Sequence, residues 1–394
     1  MKIIGVISEF NPFHNGHKYL FDQLRGRGAD MIICAMSGSF VQRGETAIMD
    51  KFTRAACAVD AGADLVVELP FPYCASGAEF FAKAGVGILN ELGVNALGFG
   101  SESADIEKLT DTVKVLETEA FTAVYRALCR EGIGSAAAYF KAYESITGQA
   151  LECGSNDILA LAYIKEIRRL RCDMALEIVL RQGSSYNSDT VEEGKLASAT
   201  ALRNLIGPGD FWEWQRMIPD GSFEYIKTAA ANGLFGSKIS NIGQDMLTYL
   251  RMCDANSFSS IAETAGGLAD RICASARNAT NYDDLINGSM TSYYTAARVR
   301  RGLINMLIGV TDEDIRSSPA YVQLLAANKF GREYLASRRR EDGFPIVTKP
   351  ADARDVAGGE RQYELACRSE ALWCMTLPEP QPANILTKSR PIFI

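Results

Sequence analysis

Glu9-Phe10-Asn11-Pro12-Phe13-His14-Asn15-Gly16-His17 stands between an apolar run at residues 2–8 (KIIGVIS) and an amphipathic run at residues 17–24 (HKYLFDQL). That order predicts a buried strand, a tight loop and a helix starting at Asn15 or Gly16. A loop of this kind at the carboxyl end of a first strand is where open α/β sheets bind their ligands. The helix start adds free backbone N–H groups and a partial positive charge, both suited to phosphate. The chain has two histidines in 394 residues, and both, His14 and His17, lie in this stretch. Their imidazoles can donate hydrogen bonds to phosphate oxygens and stabilise charge as a phosphorus centre is attacked. Gly16 lets the backbone come close to a ligand, because no Cβ intrudes.

An HxxH pair could also bind zinc, but zinc needs further ligands. The sequence has neither a second histidine cluster nor a CxxC to supply them, so no metal held by the protein is expected. Its ten scattered cysteines fit reduced, mostly buried thiols in a cytoplasmic protein. The apolar fraction of 47% is ample for large cores. A mean hydropathy of −0.04 and the lack of a long uncharged apolar run argue against a membrane span. The first apolar run is a strand candidate rather than a leader. A net charge of −7 advertises no nucleic-acid partner, so any RNA would need local basic patches. No protein partner is evident.

Working outward, a second apolar run at residues 31–37 (MIICAMS) ends in the polar, glycine-bearing segment 37–45 (SGSFVQRGE), a functional loop after a buried parallel strand. Residues 50–61 have helical spacing and carry Lys51 and Arg54 one turn apart. A solvated helix face and a functional pair fit those charges equally. Strands are expected at residues 64–69 and 95–99, with a helix over 76–92 between them. The repeat predicts a doubly wound parallel sheet, α/β in class. Residues 106–145 read as a helical insertion that covers the site or packs beside it. Ser155 or Asn156 is the expected cap of the helix that follows, and residues 175–181 (ALEIVLR) the last strand. A phosphate-cradling helix start is expected at residues 196–203 (LASATALR).

Gly207-Pro208-Gly209 marks the expected boundary between a domain over 1–206 and a mostly helical one over 207–394. Helical spacing continues at 211–217, 223–232, 242–254, 257–276, 292–308 and 321–329, and only 345–349 reads as extended. Two basic clusters stand out here, Arg298, Arg300 and Arg301, then Arg338, Arg339 and Arg340, with Tyr293 and Tyr294 just before the first. Arginine with neighbouring aromatic rings suits RNA phosphates and bases. A charge run is also commonly a solvated face.

The motif NPFHNGH resembles the HxGH signature of the nucleotidyltransferase superfamily, and EFNPFHNGH resembles more narrowly the bacterial tRNA(Met) cytidine acetate ligases. MSGSFVQRGE, DLVVELP, LGFGSE, SNDILALAYIK and ASATALR are similar to segments of that family at corresponding places. The resemblance covers most of residues 1–205 and returns near 294–308 and 321–349. It implies that ATP and acetate form acetyl-adenylate and pyrophosphate, with Mg²⁺ held mainly by phosphates. The acetyl group then passes to N4 of the wobble cytidine in elongator tRNA(Met). It implies ATP binding by Ile7-Ser8-Glu9-Phe10-Asn11-Pro12-Phe13-His14-Asn15-Gly16-His17-Lys18-Tyr19-Leu20 and by Gly100, Asn156 and Arg181. ASATALR also resembles the ISSTxIR phosphate motif, which implicates Ser198, Thr200 and Arg203. The family's RxxxxYH segment ends here in Asn187 where a histidine is usual. A small-molecule adenylyltransferase of the same superfamily, and a tRNA-binding module with a structural nucleotide site, are the alternative readings.

Overall fold

The computed structural model describes residues 1–181, 198–205, 212–338 and 343–394. β1 (Ile3–Ser8) and β2 (Met31–Ser37) are apolar along nearly their whole length because helices cover both faces of the sheet. α1 (Asn15–Gly26) links them. A small hairpin of β3 (Phe40–Val41) and β4 (Glu45–Thr46) leads to α2 (Lys51–Asp60) and β5 (Leu65–Leu69). α3 (Ala78–Glu91) then returns the chain to β6 (Ala96–Ser101). Three helices follow, α4 (Ile106–Leu116), α5 (Glu119–Arg130) and α6 (Ser135–Thr147), where the sequence predicts a helical insertion. α7 (Ser155–Leu170) and β7 (Ala175–Leu180) complete the parallel part, and α8 (Ala199–Asn204) comes next.

The sheet runs β10-β8-β5-β2-β1-β6-β7, and β1, β2, β5, β6 and β7 are mutually parallel. The chain steps outward from β1 to β2 and β5, then returns to the other side of β1 for β6 and β7. The winding therefore reverses between β1 and β6. At such a point the flanking loops diverge and leave a crevice at the carboxyl ends of the strands.

The second half contributes α9 (Asp220–Ala231), α10 (Gly243–Met252), α11 (Leu268–Asn278), α12 (Tyr282–Ser289), α13 (Ala296–Ile308) and α14 (Asp312–Arg316). Residues 321–329, whose spacing predicts a helix, instead contain β8 (Val322–Ala327), antiparallel to β5 with Val66 opposite Ala326. All six residues of β8 are buried, so the run VQLLAA shows no alternation, and periodicity does not separate such a strand from a buried helix. α15 (Lys329–Arg338), β9 (Ile346–Val347), α16 (Gly359–Met375) and β10 (Ile392–Phe393) follow, with β9 and β10 both pairing β8. Gly207-Pro208-Gly209, the expected boundary, lies outside the described residues.

Neither Lys51 nor Arg54 of α2 is solvated. Lys51 is fully buried and donates to Glu68 of β5 (2.7 Å), to Gln323 of β8 (2.8 Å) and to Glu370 of α16. Burial favours the neutral amine, but the two carboxylates overcome it and hold the Lys51 pKa above its ordinary value. Burial also pushes Glu370 upward. Arg54, equally buried, donates to the carbonyls of Glu9 (2.7 Å), Ser37 (2.9 Å), Met49 (3.2 Å) and Gly38. One guanidinium thus ties together the chain leaving β1 and the chain leaving β2.

Candidate active site

The crevice at the ends of β1 and β6 is built first by the β1–α1 loop. Phe10 adopts a left-handed backbone with φ of 44°, a conformation that costs a non-glycine residue free energy and persists where surroundings enforce it. Here its ring packs edge-on against Phe13 (centroids 4.9 Å apart), His17 (4.9 Å) and Phe21 (5.9 Å), while Arg54 grips the Glu9 carbonyl beside it. Asn11 accepts from the Ile48 N–H (2.7 Å) and so fastens the loop to the chain after the β3–β4 hairpin.

His14 is the N-cap of α1. Its Nδ1 accepts from the Gly16 N–H (3.0 Å), and the Nδ1 of His17 accepts from the His14 N–H (3.2 Å), a reciprocal capping box made of two imidazoles. Because each Nδ1 accepts, each neutral ring must carry its proton on Nε2. The rings lie 3.8 Å apart. Burial, with the Arg181 and Arg203 charges adding to it, lowers the His14 pKa to about 3. Burial and the neighbouring His14 and Arg181 depress His17 as well. Two neutral N–H donors therefore stand side by side at a helix start.

The opposite wall comes from β6, α7 and β7. Glu102, just past β6, accepts from the Asn156 side chain (2.6 Å) and from the Asp157 N–H (3.0 Å), while Asp157 accepts from the Glu102 N–H (3.1 Å). This clasp caps α7 in place of the expected Ser155 or Asn156; the N-cap is Gly154, which has no side chain to do it. Asn156 in turn accepts from Arg181 at the end of β7 (3.5 Å). Arg181 lies against Gly100, where a Cβ would come within 3.1 Å of its Cγ. On the third side Ser198 caps α8, accepting from the Ala201 N–H (3.0 Å). Arg203 donates to the Asn11 carbonyl (2.7 Å) and to Thr200 (3.3 Å).

Of the residues singled out in the sequence, Ile7, Ser8, Glu9, Phe10, Asn11, His14, His17 and Leu20 line this cleft from the first loop. Gly100, Asn156, Arg181, Ser198, Thr200 and Arg203 close around it. Pro12, Phe13, Asn15, Gly16, Lys18 and Tyr19 are not part of its lining. Phe13 is in the core, Asn15 bonds to the Arg216 carbonyl (3.3 Å), and Lys18 pairs with Asp22 on the surface (2.8 Å). The lining also includes Gln42, Phe99, Leu159 and Tyr163, which the sequence reading leaves out. Leu159 and Tyr163 follow Asn156 at i+3 and i+7, a single helix face that spacing alone could have marked. The Ser8 hydroxyl is buried and has no hydrogen-bond partner among the described residues. Glu9 accepts from the Gln42 N–H (2.9 Å), and burial raises its pKa. The 182–187 loop, with Asn187, lies outside the described residues.

The basic clusters are dispersed. Arg298 lies over the rings of Tyr293 and Tyr294, Arg300 pairs with Glu45 (2.5 Å), and Arg301 pairs with Glu263 (3.1 Å). On a helix, positions 298 and 301 share a face that 300 does not. Arg338 donates to the Glu91 carbonyl (2.7 Å) beside Gly93, which precedes β6, and so sits at the end of the sheet opposite the cleft. Arg339 and Arg340 lie outside the described residues.

The HIGH Nucleotidyl Transferase family matches residues 1–387. A tRNA(Met) cytidine acetate ligase of Acetivibrio thermocellus is 31% identical to this chain over 96% of each sequence. The chain belongs to the tRNA(Met) cytidine acetate ligase family. A family member from Listeria monocytogenes is 33% identical over 90% of each chain. Among solved structures, Thermotoga maritima TmcAL without ligand superposes over the full length of both chains with a TM-score of 0.93 at 29% identity. The same Thermotoga protein bound with alpha-thio ATP gives 0.90 at 30%. The cleft described above lies where the winding of the sheet reverses between β1 and β6. No helix among the described residues is long and apolar enough to cross a membrane.

Proposed function

We propose that this chain joins acetate to ATP as acetyl-adenylate and transfers the acetyl group to N4 of the wobble cytidine of elongator tRNA(Met). The observation that carries the proposal is the cleft itself. Two neutral imidazole donors, a helix N-terminus and two arginines converge on one anion-sized space in a member of the cytidine acetate ligase family. These substrates place the enzyme in the cytoplasm, where tRNA and ATP occur together.

In the first step a carboxylate oxygen of acetate bonds to the α-phosphorus of ATP, and the bond from that phosphorus to the bridging oxygen breaks to release pyrophosphate. Acetate is ionised at neutral pH and needs no base. The protein's task is therefore to position the partners and to stabilise the charge that builds on phosphate oxygens. The Nε2–H groups of His14 and His17 suit that task because they are neutral and held in place by their own backbone bonds. Arg181 and Arg203 add guanidinium groups to the lining, Arg203 with Glu45 3.7 Å away. In the second step N4 of cytidine attacks the acetyl carbonyl, AMP leaves, and the nitrogen loses a proton.

Mg²⁺ belongs to the same proposal. Among the described residues no group of three or more His, Cys, Asp or Glu side chains could hold an ion. In this reading the ion is carried on the phosphates, where it would neutralise the leaving pyrophosphate. The test is exchange of labelled pyrophosphate into ATP, followed by mass spectrometry of tRNA nucleosides. Exchange should require acetate, and N4-acetylcytidine should appear only with ATP, acetate and tRNA(Met) together. Exchange that ignores acetate and follows a phosphate ester would replace this reading with a small-molecule adenylyltransferase.

A further inference from the structure

A second cavity, of about 850 Å³, lies beside the cleft. The two share walls. α7 turns Asn156, Leu159 and Tyr163 to the cleft and Ile158, Leu161 and Lys165 to this groove. Arg301, which lines the groove, reaches the carbonyl of Gln42 in the cleft wall (3.5 Å). The groove and the cleft are therefore neighbours across α7, and a molecule in the groove leaves the nucleotide's place open.

The lining combines aromatic faces with cations. Tyr139 and Phe140 come from α6, and Tyr293 from the turn before α13. Arg298 is held over the rings of Tyr293 (5.9 Å) and Tyr294 (5.2 Å) and donates one bond to the Ala265 carbonyl (2.8 Å), which leaves other N–H groups of its fork available. The lining carries five cations and three carboxylates, in a chain whose net charge is −7. Arg168 pairs with Glu117, Arg169 with Glu166 and Arg301 with Glu263. Among the described residues Lys165 and Arg298 have no carboxylate within ion-pair distance, against Glu79 as the one lining carboxylate without a cation.

We infer that this groove seats unpaired nucleotides of the tRNA(Met) anticodon loop next to the cytidine that enters the cleft, an inference that rests on the function proposed above. Bases would stack on Tyr293 and its aromatic neighbours, and phosphates would meet Lys165 and Arg298. Every base has a π face, so stacking of this kind suits single strands, and loop bases are available without opening a duplex. An apolar helix of a protein partner fits worse, because it would cover Lys165 and Arg298 without offering them a counter-charge.

The test is binding of the tRNA(Met) anticodon stem-loop at several salt concentrations. A Lys165→Glu/Arg298→Glu double variant should weaken binding by at least about tenfold and flatten the log–log salt dependence by about two units. Tyr293→Ala should weaken binding about tenfold or more, and Tyr293→Phe should restore it. Lys114→Glu, the same charge change at an exposed Asp111-paired site on α4, should bind as the parent does. Melting temperatures report whether each variant is folded; should Tyr293→Ala fail to fold, the double variant decides. If the double variant matches the parent in affinity and slope, the groove is not the RNA seat and the proposal falls, while tRNA acetylation by the parent leaves the function standing. If the parent itself neither binds nor acetylates this RNA, the function is wrong and the groove proposal fails with it.

Discussion

His14 is both a helix cap and a proton-bearing donor, and two substitutions separate these tasks. Asparagine is a good N-cap, so His14→Asn should keep the bond to the Gly16 N–H while removing the Nε2 donor. Acetate-dependent pyrophosphate exchange should fall by roughly 10²-fold, the scale of losing one transition-state donor, with stability in urea nearly intact. His14→Ala should lose the same activity and in addition about 0.5–2 kcal/mol of stability. Equal exchange rates in His14→Asn and the parent would remove His14 from the chemistry. The pH dependence follows from the depressed imidazoles. Between the ordinary value of 6.5 and about 3, the unfolded chain binds a proton at His14 that the folded chain refuses. His17 acts in the same direction. Stability contributed here is therefore complete above pH 6.5 and is lost as pH falls through that window. Glu9, raised by burial, opposes the trend at acid pH. The drop in melting temperature from pH 7 to pH 5 should shrink in a His14→Asn/His17→Asn double variant. An undiminished drop would mean that other groups carry it. The two histidines were legible because the motif that carries them is local, a strand, a short loop and a helix start, although Arg54, Ile48 and Arg203 hold the loop from a distance. Their capping box was not, since it depends on which nitrogen faces the backbone.

At the level of elements, the clasp between the end of β6 and the start of α7 is what aims Asn156. Glu102→Ala removes the acceptor for the Asn156 side chain and the Asp157 N–H, so KM for ATP should rise several-fold with a smaller change in kcat. An unchanged KM would show that Asn156 holds its position without Glu102. The sequence reading located this helix from its amphipathic spacing but assigned its cap locally, because a capping side chain 54 residues away leaves no mark near the helix. The same reasoning explains the arginines of α13. Counted along the sequence they form one cluster; turned through the angles of a helix they serve two faces, and Arg300 and Arg301 each have a carboxylate from another segment. β8 was misread for a different reason. Burial on both sides erases the alternation that identifies a strand, so its partner β5 decides its conformation and its own residues do not.

Across the whole molecule, the buried contacts of Lys51 join α2, β5, β8 and α16 at one point. Lys51→Ala would leave Glu68 and Glu370 buried together without a cation, and stability should fall by about 3–5 kcal/mol. Adding Glu370→Gln should recover part of that loss in equilibrium denaturation. A double variant no more stable than Lys51→Ala would assign the loss to packing around the aliphatic stem instead. No reading of residues 50–61 alone distinguishes this lysine from a surface one, because the groups that take it out of water are distant in sequence.

That distance has a consequence for synthesis. Lys51 and Glu370 are 319 residues apart, so at roughly 5–20 residues per second a ribosome takes some tens of seconds to make one after the other. For most of that interval β5 lacks β8, the strand that covers its outer edge, and for all of it the lysine lacks one of its two counter-charges. The β1–α1 loop can form early, but the sheet behind it is complete only once β8 and β10 have been made. Until β8 is made, the β5 edge carries unpaired backbone groups of the kind that invite wrong pairing. Slowing elongation between codons 70 and 320 should lower the yield of folded enzyme far more than slowing it beyond codon 380.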